Sequence, residues 1–83
     1  MSEKRKAVWR SRRGLLELDV LLQPFAENCY DGLSCVQKRL LHEFLSLEDI
    51  ELRRMIRSPD SAGTYTELVE AILDYRLKSQ NHG

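Results

Sequence analysis

"SCVQKRLLHEFL", residues 34–45, is the stretch of this 83-residue chain that decides its fold. Ser34 is followed three residues later by Gln37, a capping-box pattern in which each side chain satisfies a free backbone N–H at the start of a helix. The stretch therefore predicts an amphipathic helix with one buried face. The apolar residues expected on that face recur at helical spacing and are Val36, Leu40, Leu41, Phe44 and Leu45.

Two further helices are predicted upstream. One is short and basic and covers residues 3–12, and the other begins at Leu15 and ends at the turn residues 28–32. Pro24 lies inside the second helix and lacks the N–H that would bond to the Val20 carbonyl, so we expect a kink or a break there. Apolar contacts are expected from Ala7, Val8 and Trp9 in the first helix, and from Leu15, Leu18, Leu21, Leu22 and Phe25 in the second.

Two more helices are predicted downstream. Ser46 with Asp49 repeats the start signal for a short fourth helix. Thr64 with Glu67 forms another capping-box pattern, and the helix that follows is expected to run to about residue 79. The buried residues expected in these helices are Leu52, Met55 and Ile56, then Leu68, Val69, Ile72 and Leu73.

Five helical segments with short connections can bury their apolar faces only by packing on one another, so the predicted fold is all-α, a small compact five-helix bundle. A chain of this length buries roughly 60% of its unfolded surface, which leaves no room for a second domain or a deep substrate cavity. We expect one domain over residues 1–83, with residues 1–2 and 80–83 disordered.

Charge is distributed unevenly, although the formal net charge is zero. The first 13 residues hold six of the 13 Lys and Arg residues, with Glu3 as the only acidic residue among them. Such a basic segment can bind nucleic acid or an anionic membrane, or form the face of a domain that meets an acidic partner. We favour a solvated or partner-facing helix.

Catalysis and metal binding have little support in the residues. No nucleophile lies in a recognisable local motif, no glycine-rich phosphate loop occurs, and Cys29 and Cys35 lack the partners of a zinc site, so we expect a protein that is not an enzyme and binds no metal. The two cysteines are predicted to be free thiols and His42 a surface or packing residue. Without an apolar run long enough to cross a bilayer, we expect a cytoplasmic location and no membrane insertion.

"RRGLLELD", residues 12–19, contains a glycine immediately before a segment well suited to a helix. One interpretation is an ordinary ion pair between Arg13 and Glu17, four residues apart, with Gly14 separating two helices. The other is that the missing Cβ of Gly14 allows a partner to approach closely between a charged donor and a charged acceptor. The pattern alone leaves both interpretations open.

The sequence resembles a known family, the small succinate dehydrogenase assembly factors that promote covalent attachment of FAD to the flavoprotein subunit. Their Arg-Gly-x-x-Glu motif is matched by Arg13, Gly14 and Glu17. The resemblance covers some 50 residues, up to about Ile56. Its other matches are Trp9, Leu18-Asp19, Pro24-Phe25 and Tyr30-Asp31.

The resemblance implies a five-helix bundle that binds the flavoprotein subunit of succinate dehydrogenase, with that of fumarate reductase as a second candidate client. FAD would be carried by the client, whose own histidine bonds to the flavin, so no tightly bound cofactor is expected in this chain. The partner-binding residues implied are Arg13, Gly14, Glu17, Arg12, Trp9 and Asp19.

Two other functions remain open at this point. The first is a small nucleic-acid-binding or antitoxin-like regulatory protein that acts through its basic N-terminal helix, for which a steep dependence of binding on salt would be expected. The second is a structural subunit without any flavoprotein partner.

Overall fold

Five α-helices follow one another in the computed structural model, which describes residues 2–80. No strand occurs in that range, and the predicted all-α, five-helix bundle is confirmed. Short 3-10 segments over Tyr30–Gly32 and Pro59–Tyr65 complete the connections. The helices are α1 (Glu3–Arg10), α2 (Leu16–Cys29), α3 (Cys35–Leu45), α4 (Asp49–Arg57) and α5 (Thr66–Gln80).

Residues 1–2 and 80–83 were predicted to be disordered, and of these the structure describes only Ser2 and Gln80. Residues 1 and 81–83 lie outside the described range. Ser2 is the N-cap of α1, where its hydroxyl accepts a hydrogen bond from the Arg5 backbone N–H, and Gln80 is the last residue of α5.

One hydrophobic core joins all five helices. Phe44, Leu52 and Ile72 are completely buried in it, and the faces of α2 and α5 contribute much of the remainder. Three residues predicted to make apolar contacts lie outside it: Trp9 is 70% exposed, Val36 is 62% exposed, and Leu15, the N-cap of α2, is 37% exposed. The other buried apolar residues are Ala7, Leu18, Leu22, Phe25, Ala26, Tyr30, Leu41, Leu45, Met55, Ala62, Leu68 and Val69.

We expected a kink or a break at Pro24; helix α2 continues through this residue, so the expectation of a break is wrong, while that of a kink stays a prediction. Proline removes the N–H that would bond to the Val20 carbonyl four residues earlier. In the structure that carbonyl accepts a hydrogen bond from the Arg76 guanidinium, with an Nη1 to O distance of 3.2 Å. A side chain of α5 thus satisfies the group that proline leaves free, and the helix tolerates the residue.

The helix starts follow the predicted signals only in part. The capping box of Ser34 and Gln37 is confirmed, with both reciprocal hydrogen bonds present. The predictions for Ser46 and Thr64 are wrong: Ser46 is the C-cap of α3, and Thr64 lies within the 3-10 segment that precedes α5. Gly63, at φ +59°, bends the chain inside that segment, which delays the start of α5 to Thr66.

Helix α1 is held on the bundle by one buried residue and several polar contacts. Ala7 is fully buried, and Lys4 Nζ lies 3.1 Å from an Asp31 carboxylate oxygen. His42 Nε2 lies 2.9 Å from the Tyr30 hydroxyl and 3.6 Å from a Glu3 carboxylate oxygen, so His42 has the predicted packing role. Burial, aided by the neighbouring carboxylates Glu3 and Asp31, raises the pKa of Tyr30.

Both cysteines are free thiols, as predicted, but their surroundings differ. Cys35 is exposed, whereas Cys29 is half-buried and burial raises its pKa, which lowers its thiolate fraction at neutral pH.

We therefore expect iodoacetamide at pH 7.5 to modify Cys35 roughly tenfold faster than Cys29, measured by mass spectrometry of the peptides. In urea the two rates should converge; equal rates in the native protein would contradict the assigned burial of Cys29.

Candidate functional site

The turn between α1 and α2 explains why a glycine stands before a helix. Ser11, fully buried, ends α1 with its N–H on the Ala7 carbonyl, and its hydroxyl donates to the Val8 carbonyl. Gly14 then has φ +82°, a backbone conformation that other residues adopt only with strain. It is exposed, and a Cβ built at Gly14 would meet no atom within 4 Å. The turn requires glycine for its backbone, and the space beside it is open to solvent.

Arg13 points inward from the same turn. Its Nε donates to Asp49 Oδ1 at 2.7 Å, and its two terminal nitrogens donate to the carbonyls of Leu45 and Leu47. These carbonyls lie at and just after the end of α3, where the last carbonyls have no partner within the helix. The guanidinium therefore caps α3 with a charge suited to the negative end of the helix dipole. Nη1 of Arg13 also donates to the Arg10 carbonyl of α1 at 3.1 Å, so Arg13, with only 16% of its side chain exposed, connects α1, α3 and α4.

Asp19 is engaged at the same turn, from the side of α2. Its Oδ1 accepts a hydrogen bond from the Arg13 backbone N–H at 2.7 Å. Asp19 thus fixes the backbone on the N-terminal side of Gly14. Both Asp19 and Arg13 were predicted as direct partner contacts, and in the structure they hold the turn in place.

Glu17 lies on the first turn of α2 and bonds to α4. Its carboxylate is 2.6 Å from Nε of Arg53, with 59% of the Glu17 side chain exposed. The interpretation of Arg13 and Glu17 as an ion pair is wrong, because α2 begins at Leu16 and leaves Arg13 outside the helix. The two charges instead bind separate residues of α4.

Asp49 and Arg53 are site residues that the sequence reasoning missed. They stand four apart on α4, the same spacing as Arg13 and Glu17, with the charges in the opposite order. That complementary spacing was the available signal, but nothing in the sequence indicated that α4 lies against this turn. The two cross-links fix the position of α4 relative to the motif.

The outward side of the turn carries exposed apolar and cationic groups. Trp9 is 70% exposed, so the prediction that it packs within the domain is wrong, and Leu16, which was not predicted as a site residue, is 79% exposed. Trp9 and Arg12 line two shallow depressions of about 480 and 610 Å³. We define the junction surface as the exposed residues Trp9, Arg12, Gly14, Leu16 and Glu17.

The part of the chain that the structure describes shows neither a cluster of metal ligands nor a helix able to span a membrane. Among residues 2–80, no three His, Cys, Asp or Glu side chains form a group that could hold a metal ion. In the same range, no helix combines the length and the apolar character needed to cross a bilayer.

An exposed tryptophan, an exposed leucine and the exposed Arg12, whose side chain has no partner within residues 2–80, surround one turn of this small helical domain. The model of the family described as "Flavinator of succinate dehydrogenase" matches residues 5–76, and the chain belongs to this family. The match includes the whole junction surface and all of α2, α3 and α4. No solved structure matches the chain significantly.

Similar proteins bear a consistent name. The chain is 42% identical over 52 residues to the FAD assembly factor SdhE of Idiomarina loihiensis, covering 63% of this chain and 58% of that protein. With the protein of that name from Shewanella oneidensis it is 54% identical over 44 residues, 53% of this chain and 54% of that protein. These two matches thus span little more than half of either relative. The match to the protein of that name from Pseudomonas syringae pv. tomato is longer, 38% identical over 74 residues, 87% of this chain and 88% of that protein.

Proposed function

We propose that this protein binds the flavoprotein subunit of succinate dehydrogenase and promotes covalent attachment of FAD to that subunit. Family membership and the names of the relatives support the proposal. The flavoprotein of fumarate reductase is a second candidate client of the same chemistry. Because the relatives named above share the flavin-related name, the nucleic-acid or antitoxin-like alternative is not favoured.

The observation that carries the proposal is the exposure of Gly14 within the matched motif. Gly14 lies open to solvent on a turn whose N-terminal side is fixed by the side-chain bonds of Arg13 and by the bond from the Arg13 backbone N–H to Asp19. A partner can therefore approach the Gly14 backbone closely without reorganising the bundle. Preorganisation of this kind reduces the entropy lost when two proteins associate.

The residues of the site divide into two roles. Trp9, Arg12 and Glu17 contact the client around Gly14, with Trp9 as the apolar anchor, since aromatic and arginine side chains dominate binding energy at many interfaces. Leu16 extends the apolar contact. Arg13 and Asp19 are positioning residues that hold the turn, because their polar atoms already bind groups of this chain.

The protein acts as a binding partner in this proposal, with no catalytic residue of its own. Docking holds the client in an arrangement in which its histidine and the flavin are close and aligned, which lowers the entropic part of the barrier. FAD stays with the client, and the helper holds no cofactor tightly. The cytoplasm is the proposed location of the reaction.

The test is the amount of flavin covalently attached to the client. The flavoprotein subunit, prepared without covalent flavin, is incubated with FAD in the presence and absence of this protein, and flavin fluorescence of its band is measured after denaturing electrophoresis. We expect the early rate of labelling to rise at least about tenfold with the protein present, in line with the effect of correct alignment. Equal labelling with and without the protein would refute the proposed function.

A further inference from the structure

Helix α4 has an outward face that the bundle does not use. Leu52 and Met55 are buried on its inner side, whereas Ile50 is 71% exposed. The exposed residues Arg53 and Arg54 lie three and four residues after Ile50, and Arg57 lies four and three residues after them, so the four residues form a single stripe along the helix. They line one shallow depression of about 390 Å³ together with Ser58.

The cations on this stripe differ in their partners. Arg53 bonds to Glu17, and Arg54 bonds to Glu51 at 2.8 Å and to Ser61. The Arg57 guanidinium has no hydrogen bond or ion pair with any residue in the range 2–80. The stripe therefore keeps one positive charge that no residue in this range neutralises.

The placement of these cations is unfavourable for the helix itself. Arg57 stands four residues after Arg53 and three after Arg54, and like charges at these spacings repel one another on a helix surface. The helix dipole favours a cation in the last turn, but one or two cations there would be enough. The stripe also begins with an exposed isoleucine in the first turn of α4. A surface of this kind fits a partner that supplies carboxylates and an apolar side chain.

The stripe continues directly from the junction surface. Glu17 and Arg53 line a second, smaller depression of about 100 Å³, and Arg57 lines it as well. At the other end of α4, Asp49 lines the depression that contains Trp9 and Arg12. Helix α4 thus runs along the edge of the proposed site, and a client large enough to cover Gly14 would meet its outward face.

We infer that the outward face of α4 is a second contact surface for the flavoprotein subunit, and that it binds an acidic segment of that subunit, with Arg57 as the free cation and Ile50 as the apolar contact. The inference rests on the proposed function, since it takes the same client. It adds a specificity element, because a flavoprotein without acidic residues at this place would lose the contact.

The experiment is a titration of the client subunit with wild-type protein, Arg57→Glu and Arg57→Gln, read by fluorescence anisotropy. We expect Arg57→Glu to raise Kd roughly tenfold at about 0.05 M salt and much less at about 0.5 M, because the contact is electrostatic. Arg57→Gln should have a smaller effect in the same direction. Since it removes the charge without adding an acidic group to the end of α4, it also keeps the test valid if Arg57→Glu impairs folding.

Arg39→Glu is the matched control. Arg39 is an exposed arginine of α3 that has no ion pair within the described range and lines none of these depressions, and its reversal changes the net charge equally. Arg39→Glu should leave Kd within about twofold of wild type. Equal effects at both positions, or none at Arg57, would overturn the inference while wild-type binding still supported the proposed function. Failure of the wild type to bind the subunit would refute both.

Discussion

Replacing Arg13 by alanine should lower the free energy of unfolding by about 3 kcal/mol, a large share of the stability of a domain this small. The change removes the donors that satisfy the carbonyls of Leu45 and Leu47 and leaves the Asp49 carboxylate without its partner. Urea unfolding followed by circular dichroism measures the difference. The arginine of the family motif would then be needed for the stability of the fold as well as for binding the client.

Arg12→Ala is the control for this prediction. Arg12 is the exposed neighbour of Arg13 and has no side-chain partner in residues 2–80, so its loss should change the free energy of unfolding by no more than about 0.5 kcal/mol. Arg13→Lys should be destabilised too, because a single ammonium cannot reproduce the planar set of donors. An Arg13→Ala protein as stable as Arg12→Ala would show that the bonds seen around Arg13 contribute little.

Replacing Gly14 by arginine should reduce covalent flavin attachment to the client by at least about tenfold, to a rate close to that measured without this protein. The added side chain occupies the space that the client must enter, and a misplacement of the docked client costs the alignment on which the rate depends. The positive φ of Gly14 adds a backbone cost of about 1 to 2 kcal/mol, so the variant is also less stable. Flavin fluorescence of the client band measures the first effect, and thermal unfolding the second.

Gly63→Arg separates these two effects. Gly63 is likewise exposed with a positive φ, +59°, and open space around a built Cβ, but it lies in the 3-10 segment before α5 and outside the junction surface. Because Gly63 has ψ −118°, outside the left-handed helical region, Gly63→Arg should lose at least as much stability as Gly14→Arg, while only Gly14→Arg should lose flavin attachment. If Gly63→Arg reduced attachment to the same extent, the effect would come from destabilisation, and Gly14 would have no special role in docking.

The parts of the fold that could be predicted are those that depend on neighbouring residues. The capping box of Ser34 and Gln37 is local, so its prediction succeeded, and the helical spacing of apolar residues indicated most of the core. The predicted burial of Val36 and Leu15 was wrong, because burial depends on which helix lies opposite and on where α2 begins. The expected break at Pro24 does not occur, because Arg76, distant in sequence, satisfies the carbonyl that the proline leaves free.

The candidate site shows the same limit. The motif itself was visible, and the exposure of Gly14 agrees with the expected open approach. The inward direction of Arg13 could not be predicted, since two of its acceptors are backbone carbonyls, which every residue possesses and no sequence pattern marks. Asp49 and Arg53 belong to the site only through the packing of α4 against the turn.

The most direct test of docking at the Gly14 turn is to measure which surface of this protein the client covers. The backbone N–H groups of Gly14 and Leu15 make no hydrogen bond within residues 2–80, so their exchange with deuterium should be fast in the free protein. If the client docks at the Gly14 turn, binding of the flavoprotein subunit should slow amide exchange in peptides spanning residues 12–17. The exchange rates of the exposed residues of α5 should stay unchanged. Protection confined to other helices, with residues 12–17 still exchanging at the free rate in the complex, would contradict docking at the Gly14 turn.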